Sequence, residues 1–134
     1  MYNKKIMKEF MNPKNFGEMN NPDAIGKVGN PVCGDVMELY LRVSKNKKGE
    51  EIIKDIKIKT FGCVTAIANA SLLTQLAKGK TLEEASKIGK KDLLKKLGDV
   101  PSIKVHCSLL AADALQDAIK NYNQNSHKTK KTKK

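Results

Sequence analysis

An α+β fold is what this 134-residue sequence predicts, and three observations carry that expectation. Two stretches, Met37 to Val43 and Ile52 to Thr60, alternate apolar and polar residues with the period of a half-buried strand. Two others, Thr65 to Gly79 and Cys107 to Tyr122, repeat apolar residues every 3.6 positions or so, as a helix buried along one side does. The chain is also long enough to bury one core without disulfide staples, so a single domain is expected.

At the N-terminus, Ile6, Met7, Phe10 and Met11 lie at helical spacing before Pro13, which predicts a short amphipathic helix over residues 3 to 12. Residues 13 to 31 hold three glycines and three prolines and read as an irregular loop. On the first strand Met37, Leu39, Leu41 and Val43 share one face, with Glu38, Tyr40 and Arg42 on the other. Lys45 to Glu50, with Gly49, reads as a hairpin connection, so the strand from Ile52 should pair antiparallel with the first. Thr65 is placed to cap the next helix, whose Ala66, Ala70, Leu73 and Ala77 form one stripe ending at Gly79. Thr81 and Glu84 make a capping box, and Lys91 to Leu97 reads as a short helix stopped by Gly98. After Pro101 the residues Ile103-Lys104-Val105 look extended. The last helix carries Leu110, Ala114, Leu115, Ala118, Ile119 and Tyr122 on its apolar face.

The net charge of +12 invites a nucleic-acid reading, but its distribution argues against specific recognition. Five lysines lie in the closing KTKKTKK, so residues 125–134 are expected to form a disordered lysine-rich tail after a domain of residues 1–124. Arg42 is the only arginine, and the absence of Trp leaves few aromatic platforms for bases. No apolar run approaches the 18 to 20 residues or so of a membrane span, and MYNKKIMKEFM lacks the apolar core of a signal peptide. A cytoplasmic protein is expected, with no membrane partner.

Three cysteines are an odd number, which points away from a disulfide framework and towards ligands, nucleophiles or core filler. Each falls at a junction between elements: Cys33 between loop and strand, Cys63 and Cys107 between strand and helix. Asp35 follows Cys33 by two residues and His106 precedes Cys107. Three soft thiolates, an imidazole and a carboxylate suit Zn²⁺ or an iron-sulfur cluster and poorly suit Mg²⁺ or Ca²⁺. Helix N-termini near Cys63 and Cys107 would favour their thiolates. Taken singly, a cytosolic cysteine is most often a small buried hydrophobe, a histidine a structural one and an aspartate a turn former.

The segments VGNPVCGDVM (28–37), FGCVTAIANAS (61–71) and IKVHCSLLAADAL (103–115) resemble, in order and spacing, the three signature segments of the IscU/NifU-type iron-sulfur cluster scaffold family. The resemblance runs from about Tyr2 to Tyr122. It implies an α+β, SufE/IscU-like fold: a small antiparallel sheet of two to three strands with helices on one face, the third strand arising near Val32. It further implies that Cys33, Cys63 and Cys107 ligate iron, with Asp35 and His106 competing for or exchanging at the remaining position. For persulfide acceptor Cys107 is the first choice, because a helix N-terminus, His106 and Lys104 favour its thiolate, with Cys33 on the loop as the alternative. The function implied is a scaffold, not an enzyme. It takes sulfur from a cysteine desulfurase, assembles a [2Fe-2S] cluster with iron, and passes it to apo-proteins, with a cluster-bridged homodimer as one form. The alternative is a zinc-binding sulfur-transfer protein of the SufU branch, where an insertion between the second and third cysteines and the lack of the histidine are typical. Forty-three intervening residues and His106 speak against that branch. Where bacterial members show LPPVK, the site of a dedicated Hsp70-type chaperone, this chain has Val100-Pro101-Ser102-Ile103-Lys104, which counts against chaperone-assisted transfer. Val64 stands where a small residue is common.

Overall fold

In a computed structural model, which describes residues 4–29, 36–62, 64–98 and 106–133 with the side chains at 106–108 and 124–133 excepted, three strands form one antiparallel sheet in the order β1-β2-β3. They are β1 (Ala24–Gly29), β2 (Val36–Lys45) and β3 (Glu51–Phe61). The helices are α1 (Lys4–Met11), α2 (Val64–Ala77), α3 (Leu82–Ser86), α4 (Lys90–Leu97) and α5 (His106–Lys133).

The β2–β3 hairpin follows from alternation and turn chemistry together. Leu39 pairs with Ile58 and Leu41 with Ile56, which stacks the apolar residues of both strands on one face. Between the strands the Asn46 side-chain carbonyl accepts from the N–H groups of Lys48 (2.9 Å) and Glu50 (3.0 Å), and Gly49 supplies a φ of +83°. A register shift at Arg42/Val43 adds an extra residue to β3 there.

The third strand corrects the sequence reading. It lies at Ala24–Gly29, inside the stretch taken as irregular loop and ending three residues before Val32, which itself lies outside the described residues. Ala24 and Gly26 face inward with Val28 half-buried, while Ile25, Lys27 and Gly29 are exposed. The inward side chains are small because α5 lies directly against them: a Cβ on Gly26 would stand 2.2 Å from the Ala114 carbonyl oxygen. A strand built for close approach carries little apolar bulk, and so little periodic signal.

The sheet's inner face, with Met37, Leu39, Leu41, Ile56 and Ile58, packs on Ala66, Ala70, Leu73 and Ala77 of α2 and on Leu110, Ala114, Leu115 and Ala118 of α5. The alanine stripes let both helices sit close to the strands, and larger side chains fill between them. The opposite face is polar: Lys27 Nζ lies 3.3 Å from Glu38, and Lys59 Nζ 2.6 Å from Glu18. Both strand edges are occupied. On β3, Gly17 N–H donates to the Ile58 carbonyl (2.8 Å) and Ile58 N–H to that of Asn15 (2.9 Å). On β1, Lys27 N–H donates to the Asp117 carboxylate (2.9 Å) and the Asn121 amide to the Ile25 carbonyl (2.7 Å).

Helix α2 starts at Val64, so Thr65 is not its cap but a buried residue of its first turn. Thr81 does cap α3: its hydroxyl accepts from Glu84 N–H at 3.0 Å, and the Glu84 carboxylate accepts from Thr81 N–H at 3.2 Å. Thr81→Ala is expected to cost about 1 kcal/mol, read as a lowered midpoint in urea with an unchanged slope. An unchanged midpoint would show that the box contributes nothing. Helix α4 begins one residue earlier than the sequence suggests, where Gly89 N–H donates to Asp92 (2.9 Å), and ends at Gly98 with φ +79°. The extended reading of Ile103 to Val105 lies outside the described residues.

Two tyrosines link charge to stability. Tyr40 donates to Glu38 at 2.8 Å, and burial together with that carboxylate pushes its hydroxyl up to about 12. Tyr122 donates to Glu51 and is likewise pushed up to about 12, first by burial and then by Glu51. The folded state holds these protons more tightly than the unfolded chain, whose phenols ionise near 10. Their contribution is complete below that pH and is lost as pH rises towards about 12. The melting temperature is expected to fall across that window, less steeply in a Tyr40→Phe/Tyr122→Phe variant; an identical slope would assign the loss to other groups.

Candidate cluster-assembly site

The last rung of the sheet joins Gly29, Val36 and Phe61. At that end the chain leaves β1, enters β2 and leaves β3. The segment from 30 to 35 therefore springs from the last rung and returns to it, and position 63 follows the same rung by two residues. Helix α2 begins there as well, at Val64.

Helix α5 reaches the same end from the other direction. Asn121 meets Ile25 and Asp117 meets Lys27, so the helix runs antiparallel to β1 and its N-terminus points past Gly29. The eleven steps from His106 to Asp117 span about 16 Å of helix, and Lys27 to Gly29 about 7 Å of strand. The α5 backbone thus starts roughly 10 Å beyond the last rung. Gly26 fixes this arrangement, since it allows the backbone of α5 to ride on β1.

Of the residues singled out in the sequence, Cys33, Asp35 and Cys63 lie outside the described residues, and His106 and Cys107 are the first two of α5 with their side chains likewise outside. The described framework brings their points of attachment to one end of one sheet. Among the described residues no group of three potential metal ligands occurs elsewhere.

The model of the NifU-like N terminal domain matches residues 1–129. The chain belongs to this family. Among the relatives of this NifU-like domain, "Iron-sulfur cluster assembly scaffold protein IscU 1" of Archaeoglobus fulgidus is 48% identical over 133 residues, which is 99% of this chain and 84% of that protein. The protein of Rickettsia prowazekii named "Iron-sulfur cluster assembly scaffold protein IscU" is 44% identical over 126 residues, 92% of each chain. A solved NifU-like protein (N-terminal) from Brucella abortus covers 91% of this chain and 94% of its own with a TM-score of 0.67; at 21% identity it speaks for the fold alone. No helix among the described residues is long and apolar enough to cross a membrane.

Three features of this NifU-like domain were not visible as site features in the sequence. Val64, the departure from the family's small residue, packs with Ile6, Ala68, Leu72 and Leu97, so the corner after position 63 is pinned to α1 and α4. Thr65 is fully buried, and its hydroxyl has no hydrogen-bond partner among the described residues. Phe61 and Leu109 are large apolar residues left 67% and 47% exposed beside the candidate end, the kind of surface a partner protein covers. Lys59 Nζ stands 5.7 Å from the Phe61 ring.

Proposed function

We propose that this protein is a scaffold on which an iron-sulfur cluster is assembled and from which it is handed to apo-proteins. Supporting this reading is a NifU-like chain 48% identical to a named scaffold, in which the described ends flanking the three cysteine-bearing segments lie at or beyond the Gly29–Val36–Phe61 end of the sheet. The cluster is cargo. Cys33, Cys63 and Cys107 supply soft thiolates for iron, and Asp35 or His106 completes the shell with a harder, exchangeable donor. Cys107, at the start of α5, is the proposed persulfide acceptor. Its thiolate attacks the terminal sulfur of a desulfurase persulfide, forming a new S–S bond as the donor's breaks and the desulfurase thiol leaves. Release of that sulfur as sulfide consumes two electrons, one from ferrous iron as it becomes ferric and one from an external reductant. A [2Fe-2S] cluster is the product, and the protein itself is not an enzyme. The cytoplasm is its proposed compartment.

The test is anaerobic incubation of the full chain with ferrous iron, cysteine, a cysteine desulfurase and reductant. A scaffold becomes coloured through sulfide-to-iron charge transfer, with iron and sulfide in equal amounts, and converts an apo-ferredoxin. A colourless product that holds zinc and no acid-labile sulfide would support the sulfur-transfer alternative instead.

Asp35 is proposed to open the shell, because a carboxylate on iron can be protonated or displaced. Asp35→Ala is expected to hold its cluster several-fold longer and to donate it several-fold more slowly. Cluster half-life and the transfer rate to apo-ferredoxin are measured for the alanine and asparagine variants. Faster loss in both, together with a lower melting temperature, would leave Asp35 a turn-shaping residue after Gly34.

A further inference from the structure

On the helical side of the protein, α2, α3 and α4 border a cleft of about 390 Å³. Leu76 and Ile88 form its apolar floor, and Lys80, Lys87, Lys95 and Lys96 line its rim. Two carboxylates also border it, but both are engaged: Glu84 closes the Thr81 capping box and Asp92 holds Gly89 N–H. Ion pairs within 4 Å among the described residues are Lys27–Glu38, Lys59–Glu18 and Lys78–Asp55, so none of the four rim lysines has a carboxylate at that range. The cleft is therefore cationic at the rim and apolar at the base.

We infer that this cleft docks an acidic, leucine-containing segment of a partner protein. Charge decides among occupants. The chain's own closing KTKKTKK would be repelled, as would a second copy carrying +12. A nucleic acid fits poorly, because Glu84 and Asp92 interrupt the rim and lysine lacks the forked geometry that grips phosphate. A peptide can set carboxylates opposite the lysines, place neutral residues beside Glu84 and Asp92, and seat an aliphatic side chain on Leu76 and Ile88. Leu76 lies twelve residues beyond Val64, about 18 Å along α2, while Lys95 and Lys96 adjoin Leu97, which packs on Val64, so the cleft runs along the helical side of the protein from the far end of α2 towards the corner after position 63.

The test uses the full-length ¹⁵N-labelled protein and a short blocked peptide of glutamates and leucines. Amide shifts are expected to concentrate between Leu76 and Lys96, and affinity is expected to fall about tenfold in Lys87→Glu/Lys95→Glu, with Lys87→Gln/Lys95→Gln intermediate and all three proteins melting alike. A peptide with serine for leucine should bind about tenfold more weakly than its parent. Shifts spread over the surface or confined to the lysine tail, equal binding of the serine peptide, or unchanged affinity in the variants would each overturn the inference. So would a single-stranded DNA that displaces the peptide and binds the same residues more tightly.

Discussion

Serine in place of Cys33, Cys63 or Cys107 is expected to lower the iron and sulfide retained after anaerobic reconstitution by at least about tenfold. Iron in a sulfide-bridged pair is held by thiolates because their polarizable electron pairs match the metal, and a serine hydroxyl is neither soft nor ionised at neutral pH. Of the other donors proposed for this end, Asp35 and His106, one already completes the shell, and the other is a harder donor than the thiolate it would replace. The loss should be of cluster and not of fold, because the core among the described residues is built from the aliphatic side chains of the sheet, α2 and α5. Visible absorption, iron and acid-labile sulfide, and a thermal melt of the apo form measure the two effects separately. A variant with normal cluster content removes that cysteine from the ligand set.

The largest effect on stability is expected at Gly26. A Cβ there would stand 2.2 Å from the Ala114 carbonyl oxygen, 2.5 Å from the Ala118 amide nitrogen and 2.9 Å from the Ala118 Cβ. The first two are backbone atoms, so no side chain can swing aside. Helix α5 would have to retreat by about 1 Å or more, at a cost of about 3 kcal/mol. Asp117 and Asn121 would then be drawn off the β1 edge that they bond. For Gly26→Ala the melting temperature should fall by about 10 °C. Because the start of α5 moves with the helix, cluster yield should fall as well, although Gly26 touches no proposed ligand. A melting temperature within about 2 °C of wild type would show that helix and strand part at little cost.

What the sequence made legible depends on how local each signal is. The hairpin and the Thr81–Glu84 box were readable because their determinants lie within a few residues of one another. The strand at Ala24–Gly29 was not, because its small residues answer to α5, some ninety positions away. Thr65 was taken for a cap because Thr is a good one; the helix in fact begins a residue earlier, which turns the hydroxyl inward. At the candidate site, chemistry was legible and geometry was not. Cysteine, aspartate and histidine could be named from their types and the family resemblance, whereas the place where the segments carrying them attach depends on sheet register and on the direction of α5. The roles of Val64 and Gly26 are likewise matters of packing between distant segments.

With Asn15 and Gly17 bonded along one flank of the sheet and Asp117 and Asn121 along the other, neither flank offers a visiting protein a long run of free strand among the described residues. A carrier that is loaded and unloaded by different hands has reason to avoid such a contact, because strand addition is unselective: any extended chain can supply the same backbone groups. Closing both flanks leaves recognition to side chains, which differ from one visitor to the next. It also denies a second copy the rail on which sheets stack into fibrils, so crowding these molecules together does not by itself knit them into one.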